Sequence, residues 1–115
     1  MKVKGKPKQT EKSFQKMVIE LARLRRWLVA HFRPAMDRDG HWKTPVQADG
    51  AGFPDLVLVR PPRILFVELK RDDGNLTALQ GKWHGLLKSC EGNNRYLQCV
   101  VWRPQDWDLI EVELS

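Results

Sequence analysis

The sequence has few of the features that mark membrane, secreted and disulfide-bonded proteins. Its 115 residues include no apolar run near the roughly 18 residues that a membrane span requires. The basic start, residues 1–8, lacks the apolar segment of a secretory signal peptide. The two cysteines, Cys90 and Cys99, form no CxxC pair, and we interpret both as reduced structural thiols. These absences favour a cytoplasmic protein.

Length and charge indicate one domain that is attracted to polyanions. A chain of 115 residues with 42% hydrophobic and 30% charged residues fits one soluble globular domain. We expect residues 1–9 to be a basic flexible tail and residues 10–115 to be the domain. The net charge of +6 attracts nucleic-acid phosphates without reading their sequence. The basic residues that we select as candidates for DNA contact are Lys8, Lys12, Lys43 and Arg71.

The first third of the chain predicts one helix and one long loop. Residues 10–31 read as a helix that Thr10 caps and that ends before Pro34. Its apolar face follows the helical period and consists of Phe14, Met17, Val18, Leu21, Leu24 and Leu28. Residues 33–52 contain many proline, glycine and aspartate residues and little periodicity, so they predict a long loop.

Two apolar segments in the middle of the chain predict paired strands. Residues 55–60 and 64–70 read as strands, and Pro61-Pro62-Arg63 between them favours a tight antiparallel connection. Residues 64–67 are apolar on both faces, which is typical of a central strand covered on both sides.

The last third predicts a crossover helix and a third strand. Residues 77–90 read as a helix with a Thr77–Gln80 capping box, and residues 96–102 read as a strand parallel to the preceding one. The apolar face of this helix consists of Leu79, Trp83, Leu86 and Leu87. After Pro104 the pattern fits either more helix or an edge strand. The predicted fold class is α/β, a mixed central sheet flanked by helices in the order α-β-β-α-β.

Three polar residues stand out at the ends of the two central strands. Alternation within residues 67–70 places Glu68 and Lys70 on the same strand face. Asp55 opens the preceding strand after a Gly-x-Pro turn, so antiparallel pairing would bring it beside both. Glu and Lys are rarely buried unless they are paired or functional. The alternative interpretation is an ordinary salt bridge between Glu68 and Lys70.

Two carboxylates and a lysine at one end of a sheet suit metal-dependent hydrolysis of a phosphodiester. Mg²⁺, or Mn²⁺ in its place, takes oxygen ligands, usually one or two carboxylates with water and phosphate oxygens. Such a cation polarises the phosphoryl group and acidifies the attacking water. We expect Lys70 to position that water and to stabilise negative charge. The alternative, in which Lys70 itself takes the proton, is less favoured beside two carboxylates.

These residues resemble the PD-(D/E)xK nuclease superfamily, and more narrowly its virus-type replication-repair nuclease (VRR-NUC) domains. The resemblance runs over nearly the whole chain from Thr10. The segments that carry it are Thr10-Glu11-Lys12, Gly52-Phe53-Pro54-Asp55-Leu56, Glu68-Leu69-Lys70, Gln80, Trp102-Arg103-Pro104 and Asp106-Trp107. The resemblance implies a metal ion held by Asp55, Glu68 and the backbone carbonyl of Leu69, with Lys70 as the catalytic lysine. It also places a metal-site carboxylate at Glu11.

Two of the candidate residues keep alternative interpretations. Helical geometry alone does not choose between Glu11 and Glu20, which lie at opposite edges of the apolar arc, and we favour Glu11. Compensation of the helix dipole is the alternative role of Glu11. Gln80 either closes its capping box alone or also contacts the water or the scissile phosphate, as the resemblance suggests.

The function that the resemblance implies is a metal-dependent DNA endonuclease, encoded by a phage or mobile element and active in the cytoplasm. Stand-alone domains of this kind resemble Holliday-junction resolvases. A two-fold homodimer matches the two symmetric cuts that a four-way junction needs. The alternatives are a nuclease for flaps, nicks or single strands and a non-catalytic DNA-binding module with the same basic surface.

Overall fold

Helices cover both faces of a central sheet. The computed structural model describes residues 10–32, 35–36, 38–43 and 47–115. Its helices are α1 (Glu11–Leu24), α2 (Ala78–Glu91) and α3 (Trp107–Leu114), and a 3₁₀ turn at Pro104–Asp106 precedes α3. Its strands are β1 (Leu28–His31), β2 (Ala35–Met36), β3 (Trp42–Lys43), β4 (Leu56–Arg60), β5 (Arg63–Leu69) and β6 (Leu97–Trp102). None of the helices within these ranges is long and apolar enough to cross a membrane.

Four of the strands form one open sheet in the order β1-β4-β5-β6. β4 pairs antiparallel with both β1 and β5, whereas β6 pairs parallel with β5. The predicted α/β class with a mixed sheet is therefore confirmed. The structure also confirms the antiparallel hairpin through Pro61–Pro62, the central position of β5 and the parallel pairing that follows α2.

The first helix ends earlier than its apolar pattern predicts. The prediction of a helix over 10–31 is wrong after Leu24, because a Schellman motif ends α1 there. Arg26 has a φ of +69°, and the Trp27 N–H donates to the Ala22 carbonyl at 2.9 Å, which is the bond that defines this motif. Glycine usually occupies the left-handed position. An arginine at this position does not mark the end of a helix in the sequence.

The segment Leu28–His31, predicted as helix, instead forms β1 at one edge of the sheet. Only part of the predicted apolar face of the helix is therefore buried. Thr10 caps α1 as predicted, accepting a bond from the Ser13 N–H at 3.0 Å. Phe14 and Val18 are buried, and Leu21 packs partly against the core. The predictions for the other apolar members are wrong, since three of these side chains are exposed: Met17, Leu24 and Leu28.

The predicted loop over 33–52 contains a short antiparallel ladder. β2 and β3 pair with each other, so the loop prediction is wrong for these two segments. The turn between them contains Asp39-Gly40, with Gly40 at a φ of +81°. An aspartate–glycine pair favours hairpin turns because glycine adopts positive φ without strain. Pro34, the predicted stop signal of the first helix, lies outside the described residues.

The second helix is anchored at its start and exposed along much of its length. Thr77 and Gln80 form the predicted reciprocal capping box at the start of α2. The predicted apolar face is only partly correct, because Leu79 and Leu86 are 51% and 58% exposed. Trp83 and Leu87 are half-buried instead. β6 follows as predicted, and after Pro104 the chain takes the helical alternative, α3.

The main core lies between the sheet and the pair α1 and α3. Its members come from alternate positions of β4 and β5, from the end of β6 and from one face of each helix: Phe14, Val18, Ala22, Leu56, Leu58, Leu65, Val67, Leu69, Trp102, Ile110 and Leu114. Trp27 closes this core and donates from Nε1 to the Leu114 carbonyl at 3.0 Å. Because side chains alternate across a strand, Glu68 and Lys70 belong to the opposite face, towards α2.

Candidate active site

The β4–β5 hairpin brings Asp55 beside Glu68. Leu56 is paired with Val67, so one further step of the antiparallel register places Asp55 level with Glu68 on the same sheet face. The Leu69 N–H donates to Oδ2 of Asp55 at 2.8 Å. This bond orients the Asp55 carboxylate towards the end of β5. The predicted approach of Asp55 to the Glu68–Lys70 strand end is therefore present in the structure.

Glu68 and Lys70 are both withdrawn from water at this corner. Glu68 is 3% exposed and Lys70 is 9% exposed. The Lys70 N–H donates to the Trp102 carbonyl at 3.0 Å, which fixes the backbone from which its side chain leaves the sheet. Oε1 of Glu68 is buried and has no hydrogen-bond partner among the described residues. A buried carboxylate oxygen without a partner is costly to the fold, so this oxygen is open to a water, a ligand or a metal ion.

The environment of Glu68 strongly favours its protonated form when no cation is bound. Burial, the negative charge of Asp55 and a hydrogen bond with Asp55 raise the pKa of Glu68 to about 9. Lys70 lowers that pKa, whereas Glu11 raises it slightly further. Crowded carboxylates share this behaviour because one negative charge opposes the next. A divalent cation would reverse the effect by stabilising both charges.

A tight glycine contact fixes the loop that carries Asp55. Gly52 has a φ of +85°, and a Cβ there would lie 2.6 Å from the carbonyl carbon of Leu79 and 2.8 Å from the amide nitrogen of Gln80. Only glycine fits both the backbone conformation and this contact with the first turn of α2. The loop before β4 and the start of α2 are consequently locked together beside the carboxylates.

Aromatic packing reinforces the same contact. The ring of Phe53 packs edge-on against three other rings, with centroid distances of 5.4 Å to Phe32, 6.1 Å to Phe66 and 5.0 Å to Trp83. Trp83 also donates from Nε1 to the carbonyl of Asp49 at 3.0 Å. This cluster joins β5, α2 and the residue that follows β1 beneath the Asp55 loop. Its contacts connect segments that are distant in the chain, so the sequence alone did not predict it.

The side-chain oxygen of Gln80 takes part in capping α2, whereas its side-chain NH₂ group does not. Its Oε1 accepts from the Thr77 N–H at 2.9 Å, and Oγ1 of Thr77 accepts from the Gln80 N–H at 3.2 Å. The capping role is thus present. Contact with Gly52 keeps the residue next to the Asp55 loop, so its side-chain NH₂ is the group that could serve a substrate.

The structure brings Glu11, but not Glu20, close to this corner. Glu11 opens α1 and is close enough for its charge to act on Glu68. Glu20 lies nine residues further along the same helix, where it lines a groove together with His31. The preference for Glu11 therefore has electrostatic support.

The four candidate DNA contacts differ in what the structure describes. Lys12 is exposed and lines the same groove as Glu20. Arg71 is exposed directly after Lys70, with its Nε 3.5 Å from Oδ1 of Asp73. Only the backbone of Lys43 is described, within β3, and Lys8 lies outside the described residues.

The residues at the corner fit a hard divalent cation. No group of three His, Cys, Asp or Glu side chains forms a metal-binding cluster within the described part of the chain. A Mg²⁺ site needs only one or two carboxylates, because water, backbone carbonyls and phosphate oxygens complete its coordination. Asp55, Oε1 of Glu68 and the Leu69 carbonyl are the groups that would supply that set. Their chemistry, all oxygen and no sulfur, suits Mg²⁺ or Mn²⁺.

Comparisons with known proteins identify no family for this chain. No protein-family model matches the chain, and comparison with curated proteins and with solved structures gives no significant match. The fold and the corner formed by Asp55, Glu68 and Lys70 are consequently the grounds for any functional conclusion.

Proposed function

We propose that this protein is a divalent-metal-dependent DNA endonuclease of the PD-(D/E)xK type, within the VRR-NUC group that its motifs resemble. The single observation that carries the proposal is the convergence of Asp55, Glu68 and Lys70 at one corner of the sheet. In a purely structural corner, the orphaned oxygen of Glu68 beside a second carboxylate would only destabilise the fold. A bound cation would compensate both carboxylates at this corner.

Each residue at the corner has a role in this proposal. Asp55, Glu68 and the Leu69 carbonyl hold Mg²⁺ or Mn²⁺, and Glu11 adds a further carboxylate nearby. When bound, the cation supplies Lewis acidity that polarises the phosphoryl group and acidifies a water. Lys70 donates a hydrogen bond to the attacking water and stabilises the negative charge that develops on the phosphate. The amide of Gln80 orients the water or a phosphate oxygen.

The substrate that we propose is branched DNA, cut by a homodimer in the cytoplasm. A net charge of +6 favours binding of a polyanion. Lys12 and Arg71 are exposed, and they directly follow Glu11 and Lys70 in the sequence. A two-fold dimer would place two active corners symmetrically on a four-way junction. Flaps, nicks and single strands are the competing substrates, and one panel of labelled DNAs that contains all of these structures separates them.

The decisive experiment measures cleavage of a mobile four-way junction with Mg²⁺, with Mn²⁺ and with a chelator. Wild-type protein should cut only with a metal, and Asp55→Ala, Glu68→Ala and Lys70→Ala should each lower the rate at least about 100-fold. Lys88→Ala is the matched control, since Lys88 pairs with Glu91 at 3.1 Å on a different part of the surface. This control should retain wild-type cleavage.

A non-catalytic DNA-binding module is the second candidate, and the basic charge of the chain favours it. Such a module would bind DNA without cutting it under any metal condition. Asp55→Ala and Glu68→Ala would then bind at least as tightly as wild type, because neither variant removes a positive charge. Absence of metal-dependent cleavage on every DNA in the panel, with binding retained, would replace the nuclease proposal by this one.

A further inference from the structure

A groove runs along α1 away from the candidate active site. It has a volume of about 560 Å³, and its lining includes Lys12, Lys16, Ile19, Glu20 and His31. The end of the groove nearest the corner is marked by Thr10 and Lys12, the chain neighbours of Glu11, which both line it. On its other side, His31 is followed by Phe32, whose N–H donates to the Asp55 carbonyl at 2.9 Å.

The charged residues of the groove form one stripe on α1. Lys12, Lys16 and Glu20 are four residues apart, so they lie along one side of the helix. Each step of four residues advances about 6 Å along the helix axis, a step similar to the separation of neighbouring phosphates in an extended strand. Two lysines in succession therefore match two successive phosphates.

The far end of the stripe does not suit a third phosphate. Glu20 carries a negative charge, which would repel a continuing backbone. Ile19 is partly buried against the core and supplies apolar surface beside Glu20. An apolar surface with one carboxylate next to it suits a nucleobase, because the base stacks on apolar groups and its exocyclic amine donates to the carboxylate.

We propose that this groove holds an unpaired nucleotide next to the scissile phosphate, with Lys12 and Lys16 on its phosphates and Glu20 on its base. The proposal rests on the proposed nuclease function for the identity of the strand. It adds a substrate feature that the catalytic corner does not specify. The preferred DNA has a nucleotide that leaves its helix beside the cut, as happens at an open branch point.

The experiment measures DNA binding rather than cleavage, by fluorescence anisotropy in EDTA. The probes are a ten-nucleotide cytidine strand and an abasic strand of the same length. Lys12→Ala and Lys16→Ala should each weaken binding of both strands several-fold and reduce the salt dependence by about one ion per lysine. Lys16→Arg should restore binding. Arg95→Ala is the control: it removes a cation that stacks on Tyr96 just before the start of β6, and it should bind DNA like wild type.

Glu20→Ala separates base contact from simple charge repulsion. If Glu20 accepts a hydrogen bond from the base, this variant should lower the preference for the cytidine strand over the abasic strand between about threefold and tenfold. Equal gains in affinity for both strands would overturn the base contact. Equal losses of DNA affinity for Lys16→Ala and Arg95→Ala would overturn the proposal that the groove binds DNA.

The outcome is distinguishable from failure of the nuclease proposal. A protein with the expected binding pattern but no metal-dependent cleavage on any DNA retains the groove and loses the catalytic assignment. A protein that cleaves with metal while all groove variants bind like wild type retains the catalytic assignment and loses the groove. Circular dichroism of each variant verifies that α1 remains folded.

Discussion

Leu69 donates its backbone N–H to the carboxylate of Asp55 at 2.8 Å, across a hairpin that separates the two residues by 14 positions. The bond places the Asp55 carboxylate beside Glu68 and leaves the Leu69 carbonyl on the same strand end. The hairpin is therefore the element that assembles the site, and the backbone amide takes a share of the Asp55 charge.

The first prediction follows from this bond. Asp55→Asn keeps an oxygen that accepts from the Leu69 N–H, whereas Asp55→Ala leaves that amide without its partner. We expect both variants to lose Mn²⁺ binding in calorimetry and to lose cleavage. Asp55→Asn should be the more stable of the two by about 1 kcal/mol in urea unfolding. Equal stability of both variants would show that the bond does not organise the loop.

The second prediction concerns pH. The pKa of Glu68 is raised to about 9 in the folded protein from a usual value of 4.5, so folding takes up a proton. The stability that this proton provides is complete below about pH 4.5 and is lost as the pH rises through the folded pKa. Metal-free protein should therefore become less stable between pH 5 and pH 9.

Glu68→Gln tests this pH dependence, because glutamine imitates the protonated side chain. In EDTA at pH 8, the variant should exceed wild type in unfolding free energy by at least about 1 kcal/mol, with the difference shrinking towards pH 5. Glu111→Gln, at an exposed position of α3, is the control and should follow the wild-type profile. A constant difference across the pH range would contradict the shift.

The sequence predicted the arrangement of the candidate site residues more completely than it predicted the surrounding fold. Asp55, Glu68 and Lys70 could be placed together because strand alternation and one short hairpin fix their positions. β1 could not be predicted, because its helix-stop signal is an arginine in the left-handed conformation rather than a glycine. The aromatic cluster at Phe53 depends on contacts between distant segments, which no local pattern encodes.

The third prediction separates the two roles of Gln80. Gln80→Glu keeps a carboxyl oxygen for the capping box but replaces the NH₂ donor with an acceptor. We expect this variant to unfold at the wild-type temperature and to cleave at least about tenfold more slowly. Thr77→Ala should show the converse, a loss of about 1 kcal/mol in stability with cleavage retained in the folded protein. Normal cleavage by Gln80→Glu would restrict Gln80 to capping.

The fourth prediction concerns Glu11 as a metal-site carboxylate. If Glu11 helps to hold the cation, Glu11→Gln should raise the Mg²⁺ concentration that gives half-maximal cleavage at least about tenfold. Glu20→Ala should leave that concentration unchanged, because its proposed contact is with the base. The measurement is a Mg²⁺ titration of the cleavage rate at saturating DNA. A shift in Glu20→Ala alone would move the metal-site role to Glu20.

The fifth prediction uses two glycines that share a backbone conformation and differ in their surroundings. Gly52 has a φ of +85° and Gly40 a φ of +81°. A Cβ on Gly40 would meet no atom of the described residues within 4 Å beyond its chain neighbours, whereas one on Gly52 would overlap Leu79 and Gln80. Gly40→Ala should therefore lose only about 1 kcal/mol, the strain of alanine at positive φ. Gly52→Ala adds the displacement of α2 and should lose about 3 kcal/mol or more.

The same pair of variants tests whether the Gly52 contact positions the site. At a temperature where both proteins remain folded by circular dichroism, Gly40→Ala should cleave like wild type. Gly52→Ala should cleave at least about tenfold more slowly, since the overlap pushes the Asp55 loop away from Gln80 and small misplacements of reacting groups slow catalysis strongly. Cleavage at the wild-type rate in folded Gly52→Ala would mean that the approach of this loop to α2 serves stability alone.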